Sequence, residues 1–345
     1  MTSHDDAPTR PCRLPARMPA DWSPLVDGFF AGFAEQVREL IVAVYGLQGT
    51  PTTDGFGAAA ALAFEGEDGP ASVQYGHIAD AHGGEDHVVI AHWSAPDAFA
   101  RWEAAHPWPA WCRRASGAGV WREVLRVPIE RAETLLSSPL ILWGLAGARD
   151  RLVGPIRKHG YWGAMRDRLP ASAYDALEAA GDTAPLAQSG GDGRRVVAPG
   201  GNLAVICSGQ DWSRCEPAHA DYYLRELQPK LRAAMADLAA RGASAGNLGC
   251  RFVRMTDAAG RPLDASFGLA YFRALSDLEH WAANDPLHLD IHRSFIDHKR
   301  RTQTTLRLWH EVLVLPQGQC FEYLDCRPGT GLAAAHGGPP SKPQP

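Results

Sequence analysis

Two blocks of this chain recur later in it, in the same order. Ala91, Ala95, Trp102, Ala104 and Pro107 fall on Ala270, Ala274, Trp281, Ala283 and Pro286 without a gap. Further on, Trp121, Glu123, Val124, Leu125 and Pro128 fall on Trp309, Glu311, Val312, Leu313 and Pro316. The second copy carries nine more residues between its blocks. One such block could arise by chance, but two in order indicate a duplication, which restricts the fold to one that a single unit can build twice.

Each copy reads as a strand (residues 88–93 and 267–272), a short helix, a further helical stretch and a closing strand that ends at proline. In the second copy, Ser276 and Glu279 have the spacing of a capping box at the start of the short helix. The pattern predicts an α+β fold of duplicated ferredoxin-like halves, of the dimeric α+β-barrel type, with antiparallel sheets flanked by helices. The halves are expected at about 50–130 and 200–320, inside one domain spanning 27–332. Between them the sequence predicts a helix over 130–145 and a Gly/Ala-rich loop over 179–201. A strand over 202–207 and an amphipathic helix over 219–241, bent at Pro229, follow. Residues 1–26 form a polar extension with five prolines, and 333–345 a Gly/Pro/Ala-rich tail expected to be disordered.

With 34 basic and 39 acidic residues, the net charge is −5, so nothing draws the chain to nucleic acid or an anionic membrane. No apolar run approaches the roughly 20 residues of a membrane span, and the N-terminus lacks a signal-peptide core. The seven cysteines are scattered, with no C-x-x-C pair. That usage suits a reducing cytoplasm better than a disulfide framework or a zinc ribbon.

Duplicated halves share a scaffold, so chemistry is sought where they differ. His288 takes the place of Pro109, and His310 that of Arg122. The helix over 286–302 starts at Pro286 after Asp285, a plausible cap, and puts His288, Ile291, His292 and Phe295 on one face. A histidine there can ligate iron or zinc, yet one that only donates to a carbonyl fits the same pattern and is commoner. His288 and His292 have an i, i+4 spacing without the glutamate of H-E-x-x-H. His310 shares its strand face with Leu306, Leu308, Val312 and Val314; it lines a cavity, or it has a private core partner. Ser208 follows an apolar strand and precedes Gly209 outside any G-x-S-x-G, where a turn residue is the default reading. Arg166 and Arg168 follow an aromatic, glycine-broken stretch, His159 to Gly163, and suit either a cofactor or a surface ion-pair cluster.

Together these segments resemble the haem-containing aldoxime dehydratases. The likeness is carried by residues 159–168, by Ser208 through Trp212, and by Ser266 through Arg273. Trp281 through Leu289, Leu306 through Glu311, and Phe321 through Asp325 with Arg327 and Pro328 complete it. The resemblance implies a haem b enzyme that converts an aldoxime into a nitrile and water, with ferrous iron binding the oxime nitrogen. It implies His288 as the axial iron ligand, His310 as the distal acid/base and Ser208 as the hydroxyl that holds the oxime oxygen. Arg168, favoured over Arg166, matches the distal arginine, and Glu133 an acid that supports the distal histidine. Asp285 stands where the family usually has histidine, as a cap or as a contact that tunes the ligand. A homodimer is expected. The rival readings are an α+β-barrel protein that binds or degrades haem, and a non-haem enzyme using His288 and His292.

Overall fold

The computed structural model describes residues 14–49, 55–79, 85–113, 119–180, 186–189, 193–302 and 304–332. After a short strand β1 (Phe30–Gly32), the chain runs β2 (Glu39–Gln48), α1 (Phe56–Ala63), β3 (Ser72–Ala79) and β4 (Glu85–Trp93). Helices α2 (Pro96–Ala105) and α3 (Ala110–Arg113) lead to β5 (Val120–Pro128). A connector holds β6 (Ala132–Leu136), β7 (Arg151–Val153), α4 (Ala164–Arg168), β8 (Leu186–Ser189) and β9 (Arg194–Ala198). Then come β10 (Leu203–Asp211), α5 (Pro217–Tyr222), α6 (Gln228–Arg241), β11 (Asn247–Thr256) and β12 (Pro262–Phe272). Helices α7 (Leu275–Asn284) and α8 (Pro286–Thr302) precede β13 (Arg307–Leu315) and β14 (Cys320–Leu324).

Twelve strands form one antiparallel sheet in the order β6-β13-β10-β12-β11-β3-β4-β2-β5-β14-β9-β8, giving an α+β molecule. Within it β5-β2-β4-β3 and β13-β10-β12-β11 each show the order fourth, first, third, second of a strand–helix–strand–strand–helix–strand run. The two sets join through β3 and β11, and their last strands β5 and β13 also touch. The sheet thus curls around one core, filled from both sides by Val42, Val44, Ile90, Val205, Leu269 and Leu313.

The two halves repeat an unusual contact. Trp121 on β5 lies over Gly46 of β2, where an added Cβ would meet Cζ2 at 1.9 Å. Trp309 on β13 lies over Gly209 of β10 in the same way, at 2.0 Å. Only glycine leaves room for the indole, so the aligned tryptophans each need their glycine.

Several sequence expectations are corrected. Residues 129–131 form one 3₁₀ turn and Ala132–Leu136 a strand, not the first half of a helix over 130–145. The open edge of β13 takes these backbone groups, and Pro139 stands just beyond. The loop expected over 179–201 contributes β8 and β9, which extend the sheet beyond β14. The first set begins at Glu39, earlier than the expected residue 50, because β2 is buried on both faces. Such a strand reads as a continuous apolar run rather than an alternation. The capping box does not form: Ala274 precedes α7 with no side-chain cap, Ser276 donates to Glu178, and Glu279 binds arginines. The helix Pro286–Thr302 is as expected, and a π turn, Tyr223–Leu227, marks the bend before Pro229.

Residues 14–22, part of the expected N-terminal extension, pack on α4: the Arg17 and Met18 N–H groups donate to Asp167, and Trp22 Nε1 to the His159 carbonyl. Residues 1–13 and the tail at 333–345 lie outside the described residues.

Candidate active site

On the outer face of the first half, Tyr45, Trp93, Trp102, Trp111, Phe56 and Phe64 close the space between sheet and helices. Tyr45 and Trp111 meet at 4.9 Å between ring centres. The second half fills the same face differently. Gly268 of β12, Ser208 of β10 and His310 of β13 stand opposite one another in one row across three strands. Paired positions of an antiparallel ladder put their side chains on the same face. The apolar packing there splits into two separate clusters. Ile206 and Trp281 edge one, Leu308 and Phe295 the other, and the polar row lies between. Although it sits in mid-strand under helices, the His310 side chain keeps 23% exposure. Solvent therefore reaches the ring.

Behind His310 lies a compact ionic cluster. Arg168 donates from Nε to Glu133 Oε2 at 2.7 Å and from Nη1 to the Lys158 carbonyl at 2.6 Å. Its Nη2 lies 2.7 Å from His310 Nε2, and Glu133 Oε1 lies 3.1 Å from the same nitrogen. Burial alone would raise the Glu133 pKa, but the neighbouring Arg168 and His310 charges and hydrogen bonds hold it below the usual carboxylate range. Nε2 thus has two neighbours. With a lone pair it accepts from Arg168, whereas with a proton it donates to Glu133. Neither His310 Nδ1 nor the Ser208 hydroxyl has a hydrogen-bond partner among the described residues, so both are free for a ligand.

Of the two candidate arginines only Arg168 joins this cluster. Arg166 turns the other way, to Glu279, at 3.0 Å from Nε and 2.8 Å from Nη2. Sequence reasoning missed Glu279, whose spacing mimicked a cap.

His288 sits in the first turn of α8. Asp285 Oδ1 accepts the N–H groups of Leu287 and His288 at 3.0 Å each, and its other oxygen pairs with Arg241. Asp285 is thus a helix cap, and the His288 ring goes elsewhere: its Nδ1 lies 2.8 Å from the Ala282 carbonyl oxygen. Donation from Nδ1 fixes the tautomer with a lone pair on Nε2. Burial lowers the His288 pKa and favours the neutral ring that a metal needs. Trp281 and Trp162 lie beside it, with centroids at 4.6 and 6.3 Å.

These features fit a haem. A single neutral imidazole would supply a nitrogen donor to the iron, and aromatic rings flank it. A non-haem centre is not supported, because among the described residues no three His, Cys, Asp or Glu side chains are placed to hold a metal ion. A cleft of about 990 Å³ also reaches Glu133 and Arg168 from the side of residues 14–17 and 30–38, and Ser208, His310 and His288 do not line it.

Comparison with known proteins agrees with the geometry. The family model for haem-containing dehydratases matches residues 43–332. An aliphatic aldoxime dehydratase from Pseudomonas is 34% identical over 333 residues, covering 93% of this chain and 94% of the relative. A phenylacetaldoxime dehydratase from Bacillus is 30% identical and covers 91% and 93%. The crystal structure of an aldoxime dehydratase in complex with butyraldoxime superposes with a TM-score of 0.86 at 31% identity, over 94% of this chain and 93% of that one. The residues that carry the site lie inside the matched span, and the chain belongs to the haem-containing dehydratases.

Proposed function

We propose that this enzyme dehydrates aldoximes, R–CH=N–OH, to nitriles with haem b held by His288. The observation that carries the reading is the row of Ser208 and a partly exposed His310 on one sheet face, with Arg168 and Glu133 locked behind the imidazole. When bound, ferrous haem supplies a Lewis-acidic and electron-donating centre for the oxime nitrogen. The Ser208 hydroxyl holds and orients the oxime oxygen. Protonated His310 gives its proton to that oxygen, so that water rather than hydroxide leaves as the N–O bond breaks. The neutral imidazole then takes the proton from carbon as the C≡N bond forms, which returns His310 to its starting state. Glu133 accepts from the Nε2–H of the ring in both stages, which leaves Nδ1 to give and then take the proton, and Arg168 holds Glu133 in place.

The antiparallel strand order of the two halves and their paired Trp–Gly contacts support a duplicated ferredoxin-like scaffold. Among the described residues no helix is long and apolar enough to cross a membrane. The six described cysteines are all free, which supports residence in the cytoplasm. Exposed Leu140 and Leu142 support self-association as a homodimer.

The test is an anaerobic absorption spectrum of the dithionite-reduced protein, before and after addition of an aldoxime. A haem band that shifts and then returns as nitrile accumulates is the expected result. A haem band indifferent to aldoximes would move the function to haem binding or degradation, and no haem after reconstitution would refute the reading.

A further inference from the structure

Arg166, Asp167 and Arg168 are consecutive, yet each ties α4 to a different part of the molecule. Arg168 reaches Glu133 and His310. Asp167 accepts from the Arg17 and Met18 backbones and, at 2.7 Å, from the Tyr161 hydroxyl. Arg166 makes the paired contact with Glu279 on α7, the helix that leads into the His288 helix. Glu279 also accepts from Arg17 Nη1 at 2.8 Å, so one carboxylate holds two guanidinium groups.

A five-residue helix cannot hold its own orientation, since helix formation this short is unfavourable without tertiary ties. The tie through Arg166 is the most sheltered on that side: the Arg166 side chain is 9% exposed and that of Glu279 11%. The other nearby acid, Glu178, is 59% exposed and sits 4.0 Å away. If Glu279 lost its charge, a buried guanidinium would remain without a close counter-charge, which strongly favours its escape to water. Arg166 leaves α4 only two residues from Arg168, so its escape would turn the helix and pull Arg168 from the imidazole.

We propose that Glu279 is a positioning residue for the distal cluster: through Arg166 it sets the angle of α4 and so keeps Arg168 on Glu133 and His310. The inference rests on the reading that Arg168 serves the reaction at His310. It makes α4 a bracket between the distal side and the helices that carry His288.

The experiment is a double-variant cycle on the haem-loaded enzyme, using E279Q, R168A and both together, with kcat, KM, haem content and unfolding midpoint measured for each. E279Q should retain haem and lower kcat about tenfold, the scale of loss that a small misplacement produces, with a smaller change in KM. The double variant should be no slower than R168A, because the lost alignment has nothing left to align. A crystal structure of E279Q should show Arg168 displaced from Glu133. Wild-type kcat in E279Q, or a double loss equal to the product of the two single losses, would overturn the inference while leaving the proposed reaction intact. Wild-type turnover in R168A would instead remove the role of Arg168 on which it rests. Should E279Q fail to fold, Arg166→Met removes the buried cation together with the tie and gives the same comparison.

Discussion

Ser208 and His310 stand directly opposite each other on neighbouring antiparallel strands, and Tyr45 and Arg122 hold the corresponding places in the first half. In the first half the tyrosine ring is buried among tryptophans, while Arg122 is spent on Glu103 and Glu322. The second half has a small hydroxyl and a partly exposed, titratable ring instead. Corresponding strand positions thus carry aromatic bulk and an ion pair in the first half, and in the second the hydroxyl and imidazole proposed to act on substrate.

His310→Ala should leave haem bound, because the ring is on the sheet and not on α8. Turnover should fall by on the order of a hundredfold or more, the usual worth of a positioned proton donor and acceptor. Steady-state nitrile production alongside the haem spectrum checks this. Near-normal turnover would remove His310 from the mechanism.

His288→Ala should purify with little haem, since among the described residues no other side chain joins a neutral, tautomer-fixed imidazole to the aromatic pair Trp281 and Trp162. The ratio of haem absorbance to protein absorbance measures it, and full loading would refute the ligand assignment.

How far the site was legible depended on contrast between the copies. His288 and His310 stood out because matching frames held Pro109 and Arg122, and the regular helix Pro286–Thr302 carried clear start signals. Partnerships across the connector were not legible. The carboxylate of Glu133 meets Arg168 only because residues 132–136 add to an open sheet edge, and that edge exists only in the folded sheet. Glu279 misled for a related reason, because its cap-like spacing is local whereas its partners Arg17 and Arg166 are remote in sequence. The strands at 186–189 and 194–198 were hidden in a Gly/Ala-rich composition, and β14 supplies the edge they need.

The paired glycines separate stability from catalysis. Gly46→Ala and Gly209→Ala should each force a buried tryptophan to move, destabilising the fold by about 1–3 kcal/mol as overpacking does. Only Gly209→Ala disturbs the strand that carries His310, one residue from Trp309. Denaturant unfolding should therefore show two similar losses, and kinetics one large and one small. Equal losses of kcat would show that β13 does not transmit the strain to the site.

Glu311 gives a pH dependence whose sign can be worked out. It follows His310 in the strand but points to the opposite face, into the core, and its side chain is 3% exposed. Gly144, at φ +61°, lets the chain pass so close that an added Cβ would meet Oε1 at 2.0 Å, and the Leu145 N–H donates to the same oxygen at 2.5 Å. His92 Nε2 is 4.0 Å away, but burial lowers its pKa to about 4, so it offers no charge at neutral pH. Burial therefore dominates. It pushes the Glu311 carboxyl up to about 8, with the Glu133 charge adding to the effect and the Leu145 bond opposing it. The ordinary value is 4.5. Below 4.5 both folded and unfolded chains hold the proton. Between 4.5 and 8 the unfolded chain has lost it and the folded chain keeps it, so folding takes up a proton and stability falls as pH rises. Above 8 both are ionised and this contribution stops changing. Across the window the loss should amount to roughly a few kcal/mol. Glu311→Gln keeps an acceptor for Leu145 and removes the titration. The difference in unfolding free energy between variant and wild type should thus grow in favour of the variant from pH 5 to 8 and then level off. A difference that stays flat across that range would mean that Glu311 is already ionised in the folded core.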